Sequence, residues 1–310
     1  MSSAQKSDQY DYRFIESWGK LPLWWEWGNV SDLATDSHGR IFALDRGAHP
    51  IVVFDSNGNF ISAWGEHANF GTVHGLYIDA LDNVYVADCT THLVSKFTPD
   101  GKLLREWGTR DTPSPTFYGL PFNQPTGVAF GPSGRMYVSD GYGNLKVQVF
   151  TPNGDFLKSW GSFGTRPGEF AVVHALDVDE DEQVYICDRE NRRIQIFNED
   201  GKYITEWTGL RLPVDVRVKG DTVYVLEEGN DWDPDPSSTK YGPSGLAIFS
   251  RDGKLLARWK EGERGSKGMF NLHGITVDHE DNIYATQIFD SRSKFPFKTG
   301  ILKFEKVSRQ

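Results

Sequence analysis

Three histidines stand at one place in a recurring phrase: His74 in VHGLYID (73–79), His174 in VHALDVD (173–179) and His273 in LHGITVD (272–278). The same frame recurs without histidine in VSDLATD (30–36), PTGVAFG (125–131) and PVDVRVK (213–219), which carry Ser31, Thr126 and Val214 there. Three imidazoles meeting at a point with an open position make a zinc or iron site of catalytic character. A lone histidine at a strand start is commonly a satisfied structural residue; three at one register are hard to account for in that way. His38, His49, His67, His92 and His279 lack the pattern and read as turn or surface residues. Further on in each unit come Asp45-Arg46, Asp140-Gly141-Tyr142 and Asp188-Arg189. Arg46 and Arg189 are able to hold a carboxylate through paired hydrogen bonds. Tyr142 is able to act as acid or base if a nearby cation lowers its phenol from the usual ~10. For any one of these taken alone, a solvated loop residue is the simpler account. The aspartates Asp45, Asp88, Asp140 and Asp188 recur in four units and read as turn or capping groups.

The elements that must position these groups follow from the repeat. Its clearest copy is VHGLYIDALDNVYVADCTTHLVSKFTPDGKLLREWG, residues 73–108. Four short apolar runs separated by turns, the last ending in Trp-Gly, describe one four-stranded meander, and repetition of such meanders describes a propeller. First strands begin near Leu33, Leu76, Val128, Leu176, Val216 and Ile275, giving six units. The sixth, residues 272–306, runs out before its fourth strand, and Arg13 to Gly19 reads like every other fourth strand. The expectation is an all-β, six-bladed propeller forming one domain over residues 1–310, its ring closed by a strand at about 11–19. Two separate three-unit domains would leave open sheet edges and no use for that strand. First strands line the central channel, and alternate blades of a six-fold ring lie about 120° apart, so the three histidines converge on the axis. The end of a second strand lies beside the start of a first, which puts Arg46, Tyr142 and Arg189 on the same mouth. The long loop from Gly229 to Gly245 belongs there too, as a lid or a decorated loop.

Bulk properties bound the reading. The chain has 310 residues, 14% aromatics and 32 glycines, which suits many short strands and tight turns. A net charge of −10 argues against nucleic acid as a partner, and no apolar run is long enough for a membrane span. Two cysteines, Cys89 and Cys187, form neither a disulfide framework nor a metal motif. MSSAQKSDQYDYRF lacks an apolar signal core, so the expected compartment is the cytoplasm and the expected partner a small-molecule substrate.

From about Val30 to about Phe304 the chain resembles NHL-type propellers and, within them, the catalytic core of peptidyl-α-hydroxyglycine α-amidating lyase (peptidylamidoglycolate lyase). The phrases that carry the resemblance are Ala43-Leu44-Asp45-Arg46-Gly47, Val138-Ser139-Asp140-Gly141-Tyr142, Arg166-Pro167-Gly168-Glu169-Phe170 and Asp188-Arg189-Glu190-Asn191-Arg192-Arg193-Ile194-Gln195. The resemblance implies zinc on His74, His174 and His273, a catalytic Tyr142, and active-site arginines at Arg46 and Arg189. It also implies a structural calcium on backbone oxygens of Leu33 and Leu76, with a carboxylate that the family supplies directly after the third histidine. Gly274 stands there, leaving Asp32 or Asp215 in the equivalent register of units one and five as substitutes. Secreted members carry disulfides near the tyrosine and in the fourth blade; Gly143 follows the tyrosine here, and no pair is possible there.

The activity so implied is carbon–nitrogen lysis of a small N-substituted α-hydroxyglycine to an amide and glyoxylate. Tyr142 takes the hydroxyl proton, Arg46 stabilises the phenolate and Arg189 binds the carboxylate, with the two arginine roles open to exchange. Two other readings stand beside it: a non-catalytic NHL propeller that binds a protein, and a metal-dependent hydrolase or lactonase. The last generally uses acidic and amide ligands around calcium, whereas imidazoles favour zinc or iron.

Overall fold

Alternating β-branched and aromatic residues broken by glycine turns build six four-stranded antiparallel sheets, in a computed structural model that describes residues 10–15, 17–228, 244–260, 269, 271–288 and 300–307. The inner strands are Val30–Thr35, Val73–Ile78, Gly127–Phe130, Val173–Val178, Leu212–Lys219 and Leu272–Val277. Each is followed outward by its own second, third and fourth strand, except in the last blade. There the outermost strand is Tyr12–Ile15, which pairs antiparallel with Gly300–Lys306 in the register Phe14 to Phe304. The fold is thus the six-bladed, ring-closed propeller expected from the repeat, with the closing strand shorter than the 11–19 span. The proposed lid falls largely on residues 229–243, outside the described residues.

Blades stack face to face, which explains a burial pattern unlike that of a one-sided sheet. Second strands such as Ile41–Asp45, Val84–Asp88 and Val184–Asp188 are buried at every position, because a neighbouring blade covers each face. The apolar core is accordingly divided among the blade interfaces. Phe42, Leu44 and Val53 of blade one pack with Leu76, Val84 and Val86 of blade two. Tyr137, Val147 and Val149 of blade three pack with Leu176, Val184 and Ile186 of blade four. Tyr224, Leu226 and Ile248 of blade five pack with Ile275, Ile283 and Phe304 of blade six.

The recurring Trp-Gly ending and the Asp-Gly or Asn-Gly turn turn out to be two halves of one latch. A Cβ on Gly101 in blade two would lie 2.7 Å from the ring of Trp64 in blade one. The same pairing links Gly154 to Trp107, Gly201 to Trp160 and Gly253 to Trp207 in successive blades. These glycines sit at φ between +76° and +89°, so the turn needs glycine for its backbone as well as for the indole beneath it. The indole N–H of Trp64 donates to Pro99 O at 3.1 Å, and that of Trp107 to Gly154 O at 2.8 Å.

Candidate active site

His74, His174 and His273 enter the channel from the inner strands of blades two, four and six, and all three are buried. Their candidate ligand atoms lie within 4.8 Å of one another. The odd-numbered blades orient them. His74 Nδ1 lies 2.7 Å from Thr126 O, His174 Nδ1 2.6 Å from Val214 O, and His273 Nδ1 2.7 Å from Ser31 O. Each acceptor occupies the position in the next blade that the histidine holds in its own. A carbonyl oxygen only accepts, so every Nδ1 carries the proton and every Nε2 presents a lone pair. Burial holds His74 and His174 well below the usual imidazole range and His273 at about 3, with the guanidinium groups adding to the effect. These are neutral rings. His174 Nε2 is buried with no hydrogen-bond partner among the described residues. Three converging lone pairs, one of them orphaned, fit a bound cation, and the imidazole set fits zinc or iron.

Tyr142 reaches the same point: its hydroxyl lies 2.9 Å from His74 Nε2, which as a lone pair makes the phenol the donor. Burial pushes the phenol up to about 12 against the pull of Arg189 and Arg46. The Arg189 guanidinium lies 5.9 Å from the centre of the Tyr142 ring. Arg46 donates from Nε to Val73 O at 2.9 Å, bracing the strand that delivers His74. All six expected residues are therefore brought to one mouth of the channel. The aspartates preceding them are structural: Asp45 accepts from the amides of Gly28, Asn29 and Gly47, and Asp188 from Ala171 N, Asn191 and Arg193. They tie the chain entering each blade to the end of its second strand.

Two carboxylates at this mouth escape a reading of the sequence alone. Glu190 lies 2.9 Å from Arg189, and Glu228 lies 4.0 Å from it. Glu228 follows Glu227, whose Oε1 accepts from Arg211 N much as Asp45 accepts from Gly28 and Asn29. It therefore holds in blade five the place of Arg46 in blade one and Arg189 in blade four, and the repeat register was the signal for it. An aromatic pair stands on the segments held against these loops. Phe117 N donates to Gly143 O, one residue past Tyr142, and Gly164 O accepts from Asn191, two past Arg189. The rings of Phe117 and Phe163 stack at 6.1 Å and 25°, both exposed.

The carboxylate expected for calcium, Asp32, is already engaged by other partners. Both Asp32 oxygens accept backbone amides, Oδ1 from Leu33 and Oδ2 from Leu76, at 2.8 and 2.7 Å. The Arg217 guanidinium lies 3.4 Å from Asp32 Oδ1 and 3.1 Å from Asp215 Oδ1. Gly274 is barred from carrying a carboxylate in its place, since a Cβ there would lie 2.6 Å from both Asp32 Cα and Asp32 Oδ1.

A closed ring of six meanders with three axial histidines defines a class of propeller built around a metal-capable channel. Residues 121–290 match the family described as "6-bladed beta-propeller", and the chain belongs to that family. It is 28% identical to NHL repeat-containing protein 3 of Homo sapiens over 257 residues, covering 79% of this chain and 67% of that protein. It is related to the amidating enzymes, with 35% identity to peptidylglycine alpha-amidating monooxygenase of Rattus norvegicus over 206 residues, 56% of this chain and 21% of that protein. Identity to the probable peptidyl-alpha-hydroxyglycine alpha-amidating lyase of Caenorhabditis elegans is 24%, over 86% of this chain and 82% of that protein. The chain thus spans about a fifth of the rat monooxygenase and two thirds of the human NHL protein.

Proposed function

We propose that the protein is a metal-dependent lyase that breaks the C–N bond of a small N-substituted α-hydroxyglycine, releasing an amide and glyoxylate. The observation that carries this reading is the convergence of three Nε2 lone pairs with the Tyr142 hydroxyl, flanked by Arg46 and Arg189. Zinc or iron held by His74, His174 and His273 supplies Lewis acidity toward a substrate oxygen and positive charge that favours a tyrosine phenolate. Tyr142, acting as the phenolate that a bound cation would favour, takes the proton of the substrate hydroxyl and becomes the phenol; the oxygen lone pair forms the aldehyde C=O as the C–N electrons leave on nitrogen. The same phenol then returns its proton to that nitrogen, so the amide and glyoxylate account for every atom. Arg189, stacked over the Tyr142 ring and shared with Glu190 and Glu228, and Arg46, braced on Val73 O, provide the cations for phenolate and substrate carboxylate. The exposed Phe117–Phe163 pair supports an apolar or aromatic substituent on the amide side. Cys89 and Cys187 are buried free thiols, which suits a reducing compartment such as the cytoplasm.

The deciding experiment measures bound metal and glyoxylate release from α-hydroxyhippurate, in wild type and His174→Ala. About one zinc or iron per chain, lost in the variant together with glyoxylate release, is the expected result. Metal without glyoxylate moves the site to another substrate. Calcium alone points to a hydrolase of the lactonase kind, and no metal leaves a protein-binding propeller.

A further inference from the structure

One to three residues along the inner strands from the histidine level, the channel holds a second group of charges that the lyase chemistry does not use. Asp32, Asp177 and Asp215 are all buried, and each does the same double duty. Asp32 accepts from Leu33 N in its own strand and Leu76 N in blade two. Asp177 accepts from Val178 N and from Val218 N in blade five, and Asp215 from Val216 N and from Ile275 N in blade six. These carboxylates are rivets between neighbouring blades. Three carboxylates in a channel closed off from water need positive charge, and among the described residues Arg217 supplies it. Its guanidinium touches Asp215 and Asp32 and donates from Nη1 to Val216 O at 2.9 Å. One guanidinium does not neutralise three carboxylates, and burial together with Asp215 pushes the Asp32 carboxyl above the usual carboxylate range.

We propose that Arg217 is the resident cation of the channel, standing where blades joined by such carboxylates would otherwise require a divalent ion, so that the propeller closes without calcium. A planar guanidinium suits this place better than an ammonium, because it meets two carboxylates from different blades along different N–H directions. Gly274 belongs to the same arrangement: the space a side chain would take is filled by Asp32. The inference is independent of the lyase reading, since it concerns the other cation of the channel.

The test strips wild type and Arg217→Met with chelator, re-supplies zinc alone, and follows thermal unfolding with and without calcium chloride, using potassium chloride of equal ionic strength as control. Wild type is expected to unfold within about 1 °C of the same temperature in all three. Arg217→Met is expected to lose at least about 4 °C and to recover part of it in calcium only, because unpaired buried carboxylates then have a cation to bind. Calcium-dependent stabilisation of wild type, or about one calcium per wild-type chain by native mass spectrometry, overturns the proposal. So does an Arg217→Met chain that is undiminished, or one that calcium fails to restore. Should that variant not fold, Arg217→Gln takes its place and is read in the same way: partial recovery in calcium only supports the proposal, and a chain that is undiminished or that calcium fails to restore overturns it.

Discussion

His74 and Gly75 share one neighbour: the Thr126 carbonyl oxygen that accepts from His74 Nδ1 at 2.7 Å would lie 2.4 Å from a Cβ on Gly75. The glycine after the histidine is thus a condition for the bond that fixes the ring and its tautomer. Gly75→Ala is expected to push the carbonyl away and to weaken zinc affinity by roughly 10- to 100-fold, the usual cost of losing an outer partner of a metal-bound histidine. Competition with a chromophoric chelator measures it. Val214→Ala, which alters a side chain but leaves its carbonyl on His174, is expected to bind zinc as wild type does.

Tyr142→Phe removes the only hydroxyl among the described residues within hydrogen-bond reach of the histidine nitrogens and leaves the ring under Arg189 in place. Turnover of α-hydroxyhippurate is expected to fall by about 10²- to 10⁴-fold, the range for a lost proton-transfer group, with zinc content unchanged. Full turnover would remove the tyrosine from the chemistry.

The exposed stack of Phe117 on Phe163 should show itself in substrate preference. We expect wild type to favour N-benzoyl over N-acetyl α-hydroxyglycine. Phe117→Ala combined with Phe163→Ala is expected to raise KM for the benzoyl compound about three- to tenfold, as for the loss of one aromatic contact. The acetyl compound should be turned over as before. Equal losses on both compounds would mean that the pair shapes the loops rather than meeting substrate.

Stability should depend on pH through Asp32 in an unusual direction. Burial and Asp215 hold this carboxyl up at about 8, against ~4 in an unfolded chain. Between those values the folded chain keeps the proton and the unfolded chain does not. The contribution is therefore present at the acidic end and lost as pH rises through 8. Asparagine does not titrate. The stability of wild type relative to Asp32→Asn, read by urea unfolding, is expected to decline from pH 6 to pH 9, by roughly 1.4 kcal/mol for each pH unit below the folded value. A difference that grows with pH would contradict the environment described for Asp32.

The architecture was legible because its signals are local. Tryptophan endings and the Asp-Gly or Asn-Gly turns before them lie within a few residues of one another in the first five units, and the axial histidines are marked by side-chain type. The carbonyls that orient those histidines left no trace, since Ser31, Thr126 and Val214 share a backbone position and nothing else. Arg217 was equally silent. Its partner Asp32 lies far away in the chain, and only ring closure brings blade one near blade five. Asp32 itself was read as a potential calcium ligand because its register was visible while its two amide donors were not. Glu228 was missed as well, although it stands in the register of Arg46 and Arg189, which was a signal open to use.

Among the described residues, the seam of the ring has one property that the other blade boundaries lack. Trp259 closes blade five, and in place of a latching glycine turn it meets Tyr12, at 5.6 Å, and Phe304, at 6.2 Å. At that spot Val307 N donates to Asp11 O at 2.9 Å, a bond of the kind that elsewhere spans a turn between a third and a fourth strand. Chain order and spatial order are therefore separable in this molecule. Asp11 and Val307 are near enough for a short Asn-Gly or Asp-Gly linker, and the polypeptide could then be opened at any other blade's corresponding turn. Such a circular permutant would keep all three axial imidazoles facing one another while every blade changed its place in the order of synthesis.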